Sequence, residues 1–227
     1  MSTELLDKFF KETEREKKEL PSAVELAFFR MTLDGNQEIN DRFDDLTGDL
    51  LFKTQPERNR EINDEREEIE SACSYDQVVL LMRRGIDSAN HTLLIQKALT
   101  FEEEIIPDII RRLKTNLIDE FIEIATRVLV KCKMDVAEEL IGYFDDVRNP
   151  YAQAMILLVL GFKADETHIP WLIEKYKEFE DRYPDEDFSD GAFLALLEIE
   201  SRFNISDQAR PYTSDDANVD DVASSLR

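Results

Sequence analysis

Two histidines, two cysteines and 51 carboxylates are the groups with which this chain could do acid–base, thiol or metal chemistry. Asp165 stands three residues before His168, which would set both on one helical face. A di-iron bundle, however, takes paired Glu-x-x-His motifs and further carboxylates, so a capping Asp beside a surface His is the better reading. His91 is the only other imidazole, which excludes His-rich zinc sites and the His-Glu-x-x-His helix of metalloproteases. The Asp-rich run at 41–49 (DRFDDLTGD) suggests a calcium loop, but the residue five before Gly48 is Phe43, where the first ligand should be Asp. Asp181, Asp185, Glu186, Asp187 and Asp190 read as a solvated acidic loop between helices. Cys73 and Cys132 fall among helical residues and read as reduced thiols rather than a disulfide. The chain also has no Gly-rich phosphate loop, nucleophile elbow or dinucleotide fingerprint. The expectation is no catalytic residue, no metal and no cofactor.

Binding chemistry is better represented. Arg83-Arg84 and Arg111-Arg112 recur 28 residues apart, each after a pair of aliphatic residues, and Lys114 follows the second pair. At equivalent positions of successive helices these cations would line up as a basic stripe suited to an acidic peptide. The plainer alternative is favourable charge at helix C-termini, paired with Glu102, Glu103 and Glu104. Trp171, Lys175 and Tyr176 share a later helix, where an exposed Trp would be a binding anchor. The alternative for a lone Trp at helical spacing is a place in the core. The formal charge of −23 repels a phosphate backbone, so nucleic acid is not an expected partner. No run approaches the 18 apolar residues of a membrane span, and the first residues lack the layout of a secretory signal. A cytoplasmic protein without a membrane partner is therefore expected.

Helices must position these groups, because 6 Gly and 7 Pro are too few to punctuate an all-β fold. Ala152, Met155, Ile156, Val159 and Leu160 follow the i, i+3, i+4, i+7, i+8 pattern of one helical face. Leu117, Phe121, Ile124, Ala125, Val128 and Leu129 make a second stripe, widened by Ile118 and Ile122. Asp135, Asn149 and Asp165 are placed as caps, and Pro150 and Pro170 suit first-turn positions. Three segments also line up on one another, IPDII at 106–110, AEELI at 137–141 and IPWLI at 169–173, with offsets of 31 and 32 residues; a looser copy, QVVLL, starts at 77. A period of this size marks stacked helical repeats. Hairpins are predicted over 89–114, 117–146 and 149–181, with a last helix over 189–203. A single hairpin cannot bury its own apolar face, so neighbours must stack.

The run NPYAQAMILLVLG at 149–161, followed by Asp165 and IPWLI, resembles the short HEAT repeat of the phycobilisome-lyase-like type. Leu160-Gly161 and Ile169-Pro170 agree with that family's unit, while Asn149 replaces its Asp and Gln153 its Arg. The resemblance implies an all-α, short irregular α-solenoid of antiparallel helix hairpins that binds a protein or peptide. It carries over no lyase position. The expected organisation is a helical N-terminal cap (1–33) packed on the first hairpin, a partly ordered acidic connecting segment (34–74), the HEAT-like repeat body (75–203) and an acidic flexible tail (204–227). Residues 34–70 hold 13 acidic and 5 basic residues. Phe43, Leu46, Leu50, Leu51 and Phe52 within the connecting segment read as a short helix docked on the body. The function expected is a non-enzymatic protein-binding scaffold. The alternatives are an acidic inhibitor or immunity-type protein that masks a basic partner and, behind it, an enzyme.

Overall fold

The computed structural model describes residues 2–13, 29 and 56–203, and among the described residues the chain is helical with no strand. The helices with described bounds are α1 (Ser2–Glu12), α2 (Pro56–Ser71), α3 (Tyr75–Arg84), α4 (His91–Leu99), α5 (Glu102–Leu113), α6 (Asp119–Lys131), α7 (Ala137–Tyr143), α8 (Pro150–Lys163), α9 (Ile169–Arg182) and α10 (Asp190–Phe203). The all-α expectation holds. The second half of the connecting segment is a regular helix, α2. The expectations for 41–49, for the apolar residues between 43 and 52, and for the tail at 204–227 lie outside the described residues.

Local chemistry explains the helix boundaries. Each of the three expected caps accepts a backbone N–H two residues ahead: Asp135 from Ala137 at 3.2 Å, Asn149 from Tyr151 at 3.0 Å and Asp165 from Thr167 at 2.9 Å. Pro150 is the first residue of α8, where a missing N–H costs no helical bond. Ser74 and Gln77 form a reciprocal capping box at the start of α3. Gly85 ends that helix with φ of 75°, a backbone angle that glycine adopts without strain. The repeated segments fall at different registers: AEELI and IPWLI open α7 and α9, whereas IPDII begins four residues into α5.

The chain divides into two compact units, one of Met1–Met31 with Ile156–Arg227 and the other Thr32–Met155. In the second unit α3, α4, α5 and α6 each pack against the other three, and α2 lies on α4. On α5, Ile105, Ile106, Ile109, Ile110 and Leu113 are all buried, one continuous face; each such side chain contributes roughly 1.5–3 kcal/mol when removed from water. On α2, Ile62 and Ile69 make the inward face, and the other described positions are mostly exposed and charged.

In the first unit α9 packs on α10 and on α1. The N-terminal helix, expected on the first hairpin, is thus found against α9. An aromatic cluster holds it there: the rings of Phe9 and Tyr176 meet edge to face at 5.0 Å, and those of Phe10 and Phe193 at 5.7 Å. Such pairs add about 0.5–1.5 kcal/mol beyond area burial.

Helix α8 is buried on nearly every side, not on the single stripe read from the sequence. Its apolar residues run almost without interruption, which is the composition of an inner helix. Gly161 permits its closest approach: a Cβ built there would stand 2.7 Å from the Cα of Ala195 in α10. Gly161→Ala would gain about 1 kcal/mol of helix propensity. The clash with backbone costs about 1–3 kcal/mol and dominates, so urea titration should show a net loss of stability, whereas Gly142→Ala, with nothing within 4 Å of its Cβ, should show a gain.

Candidate functional site

The cations of the expected basic stripe are mostly engaged with their own chain. Arg84 at the end of α3 forms a bidentate pair with Glu68 of α2, at 2.8 and 3.1 Å. Arg111 and Arg112 both close on Asp108, one helical turn back in α5, the Arg112 Nε lying 2.5 Å from its carboxylate. Burial would raise the Asp108 carboxyl, but the hydrogen bonds and charge of Arg112 and Arg111 outweigh it and hold it below the usual carboxylate range. Lys114 reaches Asp146 at 3.3 Å and sits 3.6 Å over the ring of Tyr143. Arg83 alone of the five is exposed with no hydrogen bond or ion pair among the described residues. The plainer reading of the pairs is closer to what is found, with Asp108 and Glu68 as partners in place of the Glu102 to Glu104 run. Glu102 instead accepts the backbone N–H groups of Lys133 and Met134, at 2.5 and 2.8 Å.

The second expected group is also largely inside. Tyr176 is buried in the aromatic cluster with Phe9 and Phe193. Lys175 is 8% exposed; its ammonium meets Glu178 at 2.9 Å and lies 5.7 Å from the Trp171 ring. Trp171 itself is half-buried. The two faces of α9 explain this: an amphipathic helix packed on both α1 and α10 has little apolar surface left over.

Two further groups with altered acid–base behaviour, His91 and Tyr151, lie in the second unit. His91 opens α4, its Nε2 3.2 Å from the Ile86 carbonyl oxygen. A carbonyl only accepts, so Nε2 carries the proton and Nδ1 is the bare nitrogen. Burial pushes the imidazole below its ordinary pKa, and the Arg127 guanidinium adds to this against smaller opposing effects of the Ile86 carbonyl, Glu123 and Asp87. The Tyr151 hydroxyl donates to Glu123 at 3.2 Å; burial first, then the Glu123 charge, raises the phenol well above its usual value. Arg127 faces the same carboxylate at 3.6 Å. Beside this network Asn90 is fully buried. Its amide donates to the Ile62 carbonyl at 2.9 Å and to Glu65 at 3.3 Å, while its Oδ1 accepts no hydrogen bond among the described residues.

This network ties helices together, Tyr151 of α8 to Glu123 of α6 and Asn90 to α2. The Tyr151 hydroxyl keeps its proton and shares it with Glu123 in a hydrogen bond. The one sequence signal for it was the i, i+4 pair Glu123 and Arg127; Tyr151 and His91 reach it only through tertiary packing. The remaining candidates are structural too. His168 and Asp165 form a reciprocal cap, 2.9 Å apart. The buried Cys132 thiol donates to the Leu129 carbonyl at 3.1 Å. Among the described residues no group of three or more His, Cys, Asp or Glu could hold a metal ion, and no helix is long and apolar enough to cross a membrane.

No protein-family model, no curated protein and no solved structure matches the chain.

His91 yields a signed pH prediction. Its folded pKa lies below the unfolded value, so its contribution to stability is fully present above the unfolded pKa of about 6.5 and is lost as pH falls from there through the lowered folded pKa. His91→Gln should therefore flatten the stability profile between neutral and mildly acidic pH, measured by urea unfolding across that range. A variant profile parallel to the parent would contradict the assignment.

Proposed function

We propose that the chain is a non-enzymatic helical scaffold that binds a protein segment on the surface of its helices, with a short irregular HEAT-like solenoid as the architecture the resemblance suggests. Its titratable candidates support the non-enzymatic part, since Tyr151, Asp165 and His168 are each committed to a hydrogen bond within the fold. Reduced thiols at Cys73 and Cys132 fit a cytoplasmic setting.

The observation that decides the partner's chemistry is the internal pairing of the cations. Arg84, Arg111, Arg112, Lys114 and Lys175 are all matched to carboxylates of this chain, while the net charge of the whole is −23. The surface left to a partner is anionic. This favours the second reading from the sequence, an acidic protein that masks a basic partner, over capture of an acidic peptide by an arginine stripe. Association would be steered electrostatically and screened by salt.

Affinity capture with the full chain tests this. The captured partner should be basic and should be released as ionic strength rises toward about 1 M, where the screening length falls to about 3 Å. Reversing the two most exposed arginines of the stripe, Arg83→Glu with Arg111→Glu, should leave capture intact or strengthen it. Loss of capture in that variant would restore the acidic-peptide reading.

A further inference from the structure

We propose that the edge of the second unit formed by residues 114–118 and 143–148 is a docking surface for a protein segment with apolar side chains flanked by Lys or Arg, an inference that rests on the scaffold reading above. Three of the five large hydrophobic residues exposed among the described residues belong to this edge: Leu117 at 76%, Ile118 at 38% and Tyr143 at 37%. The other two, Leu80 and Phe203, stand singly elsewhere. Scattered exposed hydrophobics need no explanation, whereas a contiguous group rimmed by polar residues marks an interaction surface.

Four contacts hold the two segments side by side. Lys114 lies over the Tyr143 ring at 3.6 Å, Arg148 N–H donates to the Lys114 carbonyl at 3.1 Å, and the Asn149 amide donates to the Asn116 carbonyl at 3.3 Å. The Ile118 N–H in turn donates to the Asn116 side chain at 2.8 Å. The turn that presents Leu117 is therefore pinned at both ends. A partner meeting it pays little to order it, which is the condition under which a small apolar anchor contributes to affinity.

Charge selects the occupant. Asp119, Glu120 and Asp145 are exposed on or next to these two segments, against Arg148, with Asp146 and Lys114 paired to each other. Lys114 is folded inward onto Tyr143 and Asp146, which leaves Arg148 as the one cation facing outward. An apolar centre with a carboxylate rim complements an apolar segment carrying cations, the core-and-rim anatomy of protein interfaces.

The test titrates the isotope-labelled full chain with a short peptide of alternating Leu and Lys, and with analogues in which Glu replaces Lys or Ser replaces Leu. The Leu/Lys peptide should shift amide resonances at 114–120 and 143–149. Leu117→Ser should weaken its binding about tenfold, and the Ser/Lys peptide should bind about tenfold more weakly than its Leu parent. Leu80→Ser, an equally solvent-facing change away from this edge, should have no effect. Shifts scattered over the other acidic helices, or an equal loss in Leu80→Ser, would overturn the docking surface and leave the basic-partner reading standing. Equal or tighter binding of the Leu/Glu peptide would overturn both. Binding of none of the three peptides would overturn the docking surface.

Discussion

Self-repulsion is the constraint to which the rest of the structure answers. With 51 carboxylates against 28 cations, a compact state must be held against its own field. The cations are accordingly placed where they do most. Arg84 joins α3 to α2 through Glu68, Lys114 joins the end of α5 to the turn after α7 through Asp146, and Arg127 sits beside Glu123 within α6. Exposed pairs of this kind contribute only about 0–1 kcal/mol each, so they do not hold the fold. Buried faces such as that of α5 do that. What the pairing decides is the surface: once the cations are matched, the charge left to meet a partner is negative.

The same economy governs carboxylates. Glu102 stands in the first turn of α5, where negative charge is favourable, and it also satisfies two N–H groups of the connection before α7. Glu65 accepts from the Asp87 N–H at 3.0 Å and from buried Asn90, fixing the connection that leads into α4. Carboxylates serve here as hydrogen-bond acceptors for loops that must cross a crowded helical body. The unmatched Oδ1 of Asn90 is the exception. Its orientation is set by donation to the Ile62 carbonyl, and leaving the oxygen bare costs about 1–3 kcal/mol.

The all-helical class and most boundaries were legible in the sequence because they rest on short-range chemistry. Asp135, Asn149 and Asp165 each accept an N–H at the start of the turn they precede, Asp165 capping the short 3-10 turn before α9 and not α9 itself, and Pro150 starts its helix. The pairs of Asp108 with Arg111 and Arg112 lie at i+3 and i+4 and were readable in principle; the denser run at 102 to 104 drew the assignment away. The long-range consequences were not legible. Nothing in the spacing of Tyr176 says that two helices cover it. Nor does a stripe of Ala152, Met155 and Val159 reveal that the opposite side of α8 is also inside. The contact of α3 with α6 is equally absent from a repeat pattern, since periodicity reports only that each helix has an apolar face and not which neighbour meets it.

That contact also bears on where a binding surface can lie. Where successive hairpins stack evenly, the second helices align along one open face. Here α3, α4, α5 and α6 each touch the other three, so their apolar faces are spent on one another, and the arginines at the ends of α3 and α5 turn to carboxylates nearby. The most exposed large hydrophobic residue among the described residues, Leu117, then stands at a connection, with Leu80 the exception on a helix face. Leu117 illustrates the point. At 76% exposure it buries too little area to add appreciably to a core valued at about 25 cal/mol per Å², and the turn that carries it is pinned by backbone and Asn116 contacts that a polar side chain at 117 would leave intact. Folding alone gives no reason for a large aliphatic residue there; the proposed docking surface would supply one.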